Sequence, residues 1–258
     1  MKSYFTVDVE KDLHTGETKG LTEGLPRLLR ILRKNNVKST FFVVGEIINQ
    51  HPEIIKSLSN QGHEVGLHGH THKRFDSLSK IEKEKEINDS IKAYKKTFKA
   101  GPKGFRAPQH SIDKETLKLL DKYDFEYDSS VCSRNIMLLR HIFKSNSNKK
   151  AIIKNFFGKT KPYKISEKMH EIPRPAFLLA LGGFELKVYP KYLIKTILRF
   201  HKLFNIPVNF VMHSWDMIDI KESRTSKICS SQEFEEKLDW FIKLAKQNCE
   251  FVAIRSSI

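Results

Sequence analysis

Short hydrophobic runs bounded by turn-forming residues recur along the whole chain. They are rich in β-branched and aromatic residues, a composition typical of buried strands. Eight segments predict strands in this way: YFTVDV, STFFVVG, HEVGLHG, KGFRAP, FEYDSS, MHEIPRPAF, VNFVMHSW and CEFVAIRS. We therefore expect a protein built around a β-sheet whose strands come from all parts of the sequence.

Helical periodicity fills the intervals between these segments. In GLPRLLRILRKNN, the residues Leu25, Leu28, Leu29 and Leu32 recur on one face of a helix. The other helical segments are HPEIIKSLSNQG, residues 79–98, DKETLKLLDKYD, KYLIKTILRFHKLFN and SQEFEEKLDWFIKLAKQN. Strands alternating with helices predict the α/β class, with a parallel sheet and right-handed crossovers. Seven or eight parallel strands fit a closed or partly closed barrel better than an open sheet.

One segment, from about 134 to 168, interrupts this alternation. It holds ten Lys or Arg residues and a single acidic residue, Glu167. We found no internal repeat and no low-complexity linker, so residues 1–258 are expected to form a single domain with a basic insertion at about 134–168. Such a basic segment attracts an anionic membrane surface or an acidic glycan, although it is also consistent with a solvated lysine-rich face.

Composition excludes several classes of protein. The formal net charge is +16, but no zinc-finger or RNP motif accompanies it, so nucleic acid is not the expected partner. The cysteines Cys132, Cys229 and Cys249 form no CxxC pair and are expected to be reduced. No hydrophobic run is long enough to span a membrane, and the N-terminal segment does not resemble a secretory signal. We expect a cytoplasmic protein. The basic insertion suggests, as an alternative, a peripheral position at the inner face of the membrane.

Polar residues lie at the predicted carboxyl ends of the strands, the edge that carries the active site in barrels and in open parallel sheets. They are Asp8 and Glu10 after the first strand, His68 and His72 after the third, Arg106 after the fourth, Asp128 after the fifth, and His213 with Asp216 after the last but one. All of these side chains are expected to converge on one rim.

Two of these groups have the chemistry of a metal site. His68 and His72 belong to the segment HGHTH, and two imidazoles plus a carboxylate, with a position left for water, are the ligands of hydrolytic zinc sites. Asp8 and Glu10 lie on the same side of a strand, within an otherwise hydrophobic run where a pair of carboxylates is costly unless it binds something. One acid for the metal and one for proton transfer is the division we expect.

The segments TVDVE, HGHTH, FRAP, YDSS and VMHSW occur in this order. Together they resemble the successive motifs of the polysaccharide deacetylase (NodB-homology) family of carbohydrate esterases. The resemblance runs from Tyr4 to about Val252 and is weakest over the basic insertion. It implies a distorted (β/α) barrel that removes N-acetyl groups from amino sugars of a polysaccharide or lipid-linked glycan. It also implies a divalent metal, usually Zn²⁺, with Co²⁺, Mn²⁺, Ni²⁺ and Fe²⁺ as alternatives.

The same resemblance assigns roles residue by residue. Asp8 corresponds to the catalytic base, Arg106 to the residue that holds this base, and His213 to the general acid. The backbone N–H of Gln109 would bind the oxyanion, while His68 and His72 would bind the metal.

The third metal ligand departs from the commoner family pattern of two adjacent aspartates. The chain has Asp8, Val9 and Glu10 instead, as in a DVE-type subgroup. Glu10 is the expected ligand. Asp8 as the ligand, with the base elsewhere, and Asp12 as a substitute remain open.

Three further polar or aromatic residues have two interpretations each. Asp216 either orients His213 or lines the pocket, and Trp215 either forms a wall of the sugar cleft or packs in the core. Asp128 either caps its strand or contacts the rim. We include all three among the expected substrate-binding residues.

Other functions fit the same residues. An amidase acting on small cyclic or linear amides would use the same fold and metal. A catalytically inactive barrel that binds glycan or membrane would leave the histidines and carboxylates without a role. Two histidines and a carboxylate also hold iron in oxygenases, but a base at Asp8 and an acid at His213 suit hydrolysis better.

Overall fold

A curled, mostly parallel sheet forms the centre of the protein. The computed structural model describes residues 1–13, 15–135, 153 and 156–258. The strands are β1 (Lys2–Val9), β2 (Thr40–Val43), β3 (Glu64–Leu67), β4 (Gly104–Phe105), β5 (Tyr127–Asp128), β6 (Cys132–Asn135), β7 (Tyr163–Lys164), β8 (His170–Glu171), β9 (Arg174–Leu178), β10 (Asn209–His213) and β11 (Glu250–Phe251).

The order of strands in the main sheet is β10-β1-β2-β3-β4-β5-β8-β7, and β11 also pairs with β1. Every pairing is parallel except that of β7 with β8. Strands β6 and β9 form a separate parallel pair. The central strands β1 and β2 are buried on both faces. This explains the hydrophobic run of β2, whereas β1 alternates hydrophobic residues with the buried polar residues Thr6 and Asp8.

Helices cover the outer side of the sheet and close the core. They are α1 (Leu25–Lys34), α2 (Gly45–Gln50), α3 (Pro52–Asn60), α4 (Lys80–Phe98), α5 (Lys114–Lys122), α6 (Gly183–Val188), α7 (Lys191–Leu203), α8 (Arg224–Ile228) and α9 (Ser231–Lys246). The longest, α4, begins at a capping box in which Ser79 and Glu82 exchange hydrogen bonds. Leu25, Leu28 and Leu32 of α1 face the core as their spacing predicts.

The structure confirms the α/β class and the distorted barrel, which takes the form of a curled half-barrel of eight strands. The antiparallel edge strand β7 and the short pair β6–β9 were not predicted. Most of the basic insertion at about 134–168 lies outside the described residues; its described part includes β7. No helix among the described residues is long and apolar enough to cross a membrane.

Candidate functional site

Three side chains from two strand ends meet at the carboxyl edge of the sheet. Glu10 follows β1, while His68 and His72 follow β3, and one ligand atom of each lies within 4.8 Å of the others. The Nε2 atom of His68 is 3.6 Å from Oε2 of Glu10, and the Nε2 atom of His72 contacts the same oxygen. Parallel pairing brings these ends together, because β2 lies between β1 and β3 in register.

A hydrogen bond to the backbone fixes the orientation of the His68 ring. Its Nδ1 lies 2.8 Å from the carbonyl oxygen of Arg106, and a carbonyl oxygen can only accept. Nδ1 therefore carries the proton, and the lone pair of Nε2 points towards Glu10. An imidazole oriented through its other nitrogen is typical of a metal ligand.

The donor set fits a divalent transition metal. Two imidazole nitrogens and one carboxylate oxygen are the ligands of catalytic zinc sites, and the same set accepts other first-row metals. The Nε2 atom of His72 is buried and lies against the Glu10 carboxylate. A bound cation would satisfy this nitrogen and neutralise the carboxylate that it faces. Glu10, His68 and His72 are thus able to hold the metal.

Asp8 lies at the end of β1 and Glu10 directly follows this strand, but the two carboxylates have different surroundings. Oδ1 of Asp8 accepts a hydrogen bond of 2.8 Å from Arg106, and both side chains are almost completely buried. Burial would raise the pKa of Asp8, but the Arg106 guanidinium and then His68 and His213 outweigh it and lower this pKa to about 2. Asp8 is therefore ionised beside a fixed cation, and Glu10 is the carboxylate of the histidine cluster.

Arg106 is fully buried at the end of β4 and has several partners. It donates to the Ser129 carbonyl and hydroxyl and to the Thr6 hydroxyl, and its guanidinium lies 4.2 Å from the centre of the Phe42 ring. These contacts leave the guanidinium little freedom to move. The position of Asp8 is consequently fixed by the sheet itself.

His213 ends β10 directly beside Asp8 in the strand register. Its Nε2 is 3.7 Å from Oε1 of Glu10, and its Nδ1 is 3.6 Å from Oδ2 of Asp216. Burial would lower the pKa of His213, but the carboxylates of Glu10 and Asp216 raise it to about 9. An imidazolium held by Asp216 through one nitrogen presents the other nitrogen to the cluster.

Asp216 is buried and is fully engaged inside the protein. It accepts a hydrogen bond of 2.9 Å from the backbone N–H of His213 and lies 3.5 Å from the ammonium group of Lys187, which is also buried. Of the two roles considered from the sequence, this geometry favours orienting His213. A role as an exposed wall of the pocket is not compatible with its burial.

Trp215 is attached to the site rather than to the hydrophobic core. Its ring stacks on that of His213 at 4.3 Å between centroids, and its Nε1 donates to Oε1 of Glu10 at 3.4 Å. The side chain is partly exposed. It can therefore contact a ligand at the rim while it holds His213 and Glu10 in place.

The turn after Arg106 has an unusual backbone. Gln109 and His110 have φ angles of 53° and 55°, and His72 has a φ of 62°. Residues other than glycine rarely adopt such angles, and when they do they concentrate at functional sites. Gln109 is exposed, and its side chain accepts a hydrogen bond from Arg74.

Asp128 is placed differently from the role in substrate binding that the sequence suggested, while Asp12 proves not to be the substitute ligand that had been left open. Asp128 has no exposed surface, and it accepts hydrogen bonds from the Ser130 hydroxyl and backbone N–H. The Ser130 hydroxyl in turn accepts from the Ala107 N–H, so Asp128 supports the turn after Arg106 from behind instead of contacting the rim. Asp12 accepts two hydrogen bonds from the N–H of Gly20 and is not part of the histidine cluster.

Asp128 belongs to a pair of buried carboxyl groups, and the second member is Glu171. Glu171 faces Asp128 across β5 and β8, and burial followed by repulsion from Asp128 raises the pKa of Glu171 well above its usual value. A carboxyl group whose pKa is higher in the folded chain than in the unfolded chain binds its proton more tightly when folded. Its contribution to stability is therefore present at low pH and is lost as pH rises towards the raised pKa.

We expect the substitution E171Q to reduce the loss of stability at alkaline pH. The amide keeps the shape of a protonated carboxyl and can still accept from the Val131 N–H, which bonds Oε1 of Glu171 at 3.0 Å. Thermal unfolding of both proteins between about pH 6 and pH 9 measures the effect, at about 2–4 °C for each kcal/mol. The matched control is E126Q, which neutralises a partly exposed carboxylate paired with Lys103 and Arg255. If the unfolding temperature fell with rising pH to the same extent in the original protein and in E171Q, this interpretation would be contradicted.

Glu86 on α4 is a functional candidate that sequence reasoning missed. It is buried, and its carboxylate accepts from the backbone N–H groups of His70 and Thr71, at 2.9 Å each, and from the Thr71 hydroxyl. It thereby fixes the loop between His68 and His72. The lysine- and glutamate-rich helix gave no signal, because its sequence does not distinguish Glu86 from the partly exposed Glu84.

We expect E86A to weaken metal binding by about 10- to 100-fold, the range found when outer partners of metal ligands are removed. The substitution leaves two buried N–H groups unpaired and frees the loop that carries His72. Competition with a chelating dye measures the affinity for Zn²⁺. The control is E84A on the same helix, which removes a partly exposed carboxylate bonded to Lys122 and Tyr123. Equal affinities in E86A and E84A would show that Glu86 does not position the loop.

Comparison with known proteins gives a consistent assignment. The sequence model of the polysaccharide deacetylase family matches residues 4–127. A peptidoglycan deacetylase from Helicobacter pylori is 32% identical over 124 residues, which are 48% of this chain and 41% of that protein. The chain thus spans less than half the length of the curated relatives that it matches. The matched part includes Asp8, Glu10, His68, His72 and Arg106, whereas His213 lies beyond it.

Solved structures show the same fold over the whole chain. The crystal structure of a Mycobacterium smegmatis protein assigned to the polysaccharide deacetylases superimposes with a TM-score of 0.72 at 20% identity, covering 99% of this chain and 87% of that one. The allantoinase Puue superimposes with a TM-score of 0.67 at 13% identity, covering 99% and 88%. At these identities the likeness concerns the fold alone.

Proposed function

We propose that this chain, whose residues 4–127 match the sequence model of the polysaccharide deacetylase family, is a metal-dependent hydrolase that removes N-acetyl groups from amino sugars. One observation carries the proposal: the cluster of Glu10, His68 and His72 lies on the same rim as the Asp8–Arg106 pair. A binding protein has no need of a buried base fixed beside a metal site. We further propose that residues 1–258 act as one catalytic domain.

The chemistry begins with a neutral amide, which water attacks slowly. Glu10, His68 and His72 would hold the divalent metal, with zinc as the expected ion; when bound, it lowers the pKa of water and polarises the acetamide carbonyl. Asp8, held by Arg106, accepts the proton of the attacking water. The backbone N–H of Gln109, in the strained turn after Arg106, contributes to binding the oxyanion that develops.

Breakdown of the tetrahedral species requires a proton on the departing nitrogen, since an unprotonated amine is a poor leaving group. His213 is the residue placed to donate it, because Asp216 holds Nδ1 and directs Nε2 towards the cluster. Trp215 stacks on the His213 ring and restricts its rotation. The products are acetate and a free amino sugar.

The substrate class follows from the family and from the names of the relatives. A polymer containing N-acetylated amino sugars, such as peptidoglycan or chitin, is the first candidate, and a lipid-linked glycan is the second.

A substrate panel tests the proposal with zinc-loaded protein. It contains N-acetylglucosamine oligomers, peptidoglycan, an N-acetylated lipid-linked sugar and allantoin, and the readouts are released acetate and new primary amine. We expect acetate and amine in equal amounts from at least one N-acetylated glycan. Hydrolysis of allantoin alone would replace the proposal with a small-amide hydrolase. Metal binding without turnover on any member would indicate an inactive barrel.

A further inference from the structure

Helix α7 presents an unusual surface to solvent. It buries one face against the core, with Ile194, Ile197, Leu198 and His201 as the inward residues. The opposite face carries Tyr192 and Leu203, each of which is 73% exposed. They are separated by about three helical turns and therefore point in the same direction. Two of the positions farthest from the core are thus hydrophobic.

A row of cations runs beside these two residues. Lys191, Lys195, Arg199 and Lys202 are all exposed, and their spacing of three and four residues places them on one flank of the helix. None of the four forms an ion pair with a carboxylate of the described residues. From Leu186 to Trp215 the sequence has no Asp or Glu at all. No carboxylate of the described residues therefore pairs with this row of cations, and the ammonium group of Lys191 lies 5.2 Å from the centre of the Trp240 ring.

This arrangement differs from an ordinary solvated helix and from a nucleic-acid surface. A helix that only faces water carries polar residues at its outermost positions, whereas α7 carries Tyr192 and Leu203 there. Binding to a phosphate backbone needs the cations but gains nothing from an outward leucine. The combination of a hydrophobic centre with a basic flank matches a helix that lies in the interface of an anionic bilayer.

We propose that the outward face of α7 binds an anionic phospholipid surface. Tyr192 and Leu203 enter the boundary between headgroups and acyl chains, and the cations of the flank contact lipid phosphates. Phe204, which is half exposed at the end of the helix, extends the hydrophobic strip. The face consists of residues of α7 and its C-terminal end, and it includes none of the residues of the histidine cluster or of the Asp8–Arg106 pair. The inference is independent of the proposed deacetylation.

Co-sedimentation of the full chain with vesicles tests this surface. We expect binding to phosphatidylcholine vesicles that contain about 30% phosphatidylglycerol, and no binding to phosphatidylcholine alone. The double variant K195E/R199E should lower the partition coefficient at least about tenfold, since each cation near an anionic surface contributes strongly. The neutral variant Y192S/L203S should lose the binding that remains at high salt.

The matched control is K114E/K118E, which makes the same change in net charge on the exposed face of α5. It should keep the partition coefficient within about twofold of the original protein. Deacetylation of a soluble oligosaccharide should be unchanged in all three variants, which separates this inference from the catalytic proposal. An equal loss in the control would show that binding follows total charge. If K195E/R199E lost binding to duplex DNA but still bound vesicles like the original protein, the proposal would also be overturned.

Discussion

The substitution D8N is expected to lower the turnover number by about 10² to 10⁴-fold, the range that general acid–base catalysis contributes. The amide keeps the size of the aspartate and can still accept a hydrogen bond from Arg106, but it cannot take a proton from water. Metal content should stay at that of the original protein, because Asp8 is not part of the histidine cluster. Acetate release under saturating Zn²⁺ and elemental analysis of the same sample measure both quantities.

The matched control for this prediction is D12N. Asp12 lies four residues further along, is also buried, and bonds only to local backbone. Thermal unfolding of each variant should be recorded, because D8N leaves the buried Arg106 without its counter-charge. Loss of the metal in D8N together with loss of turnover would assign Asp8 to the metal, and the base would then have to be another residue.

The substitution H68A is expected to abolish activity by removing the metal. His68 contributes a nitrogen whose orientation is fixed by the Arg106 carbonyl, so its loss removes one ligand of three and also the best-ordered one. We expect the affinity for Zn²⁺ to fall by more than about 100-fold, beyond the effect of losing an outer partner. Direct titration with Zn²⁺ under a competing chelator measures it.

H70N is the matched control, since His70 lies in the same loop but outside the cluster. Its affinity for Zn²⁺ should stay close to that of the original protein. If H70N and H68A lost the metal to the same extent, the loop as a whole rather than the His68 nitrogen would govern binding. If H68A kept both metal and activity, the proposed ligand set would be wrong.

The order of elements could be predicted from the sequence because buried parallel strands and amphipathic helices leave different periods. The hydrophobic run of β2 and the leucines of α1 are examples. The antiparallel pairing of β7 with β8 could not be predicted, since Tyr163–Lys164 is short and has no distinguishing period. The same reason applies to β6, which pairs with a strand far along the chain.

The meeting of Glu10, His68 and His72 could be predicted because the carboxyl ends of parallel strands share one edge. The sequence could not predict which side chains at that edge would be buried away from the site. Asp128 follows its strand just as Asp8 does, but Glu171 and Ser130 enclose it. Glu86 could not be predicted because it contacts the loop from a helix, whereas the sequence argument considered only residues at strand ends.

The central claim is that one metal held by Glu10, His68 and His72 supports hydrolysis of an N-acetyl group. The most direct measurement is acetate release from an N-acetylglucosamine oligomer by protein that has been stripped with a chelator and then titrated with Zn²⁺. The account predicts no release from the stripped protein and a rise that ends at one equivalent of Zn²⁺, with no rise in H68A. Full activity in the stripped protein, or a rise in H68A equal to that of the original protein, would contradict it.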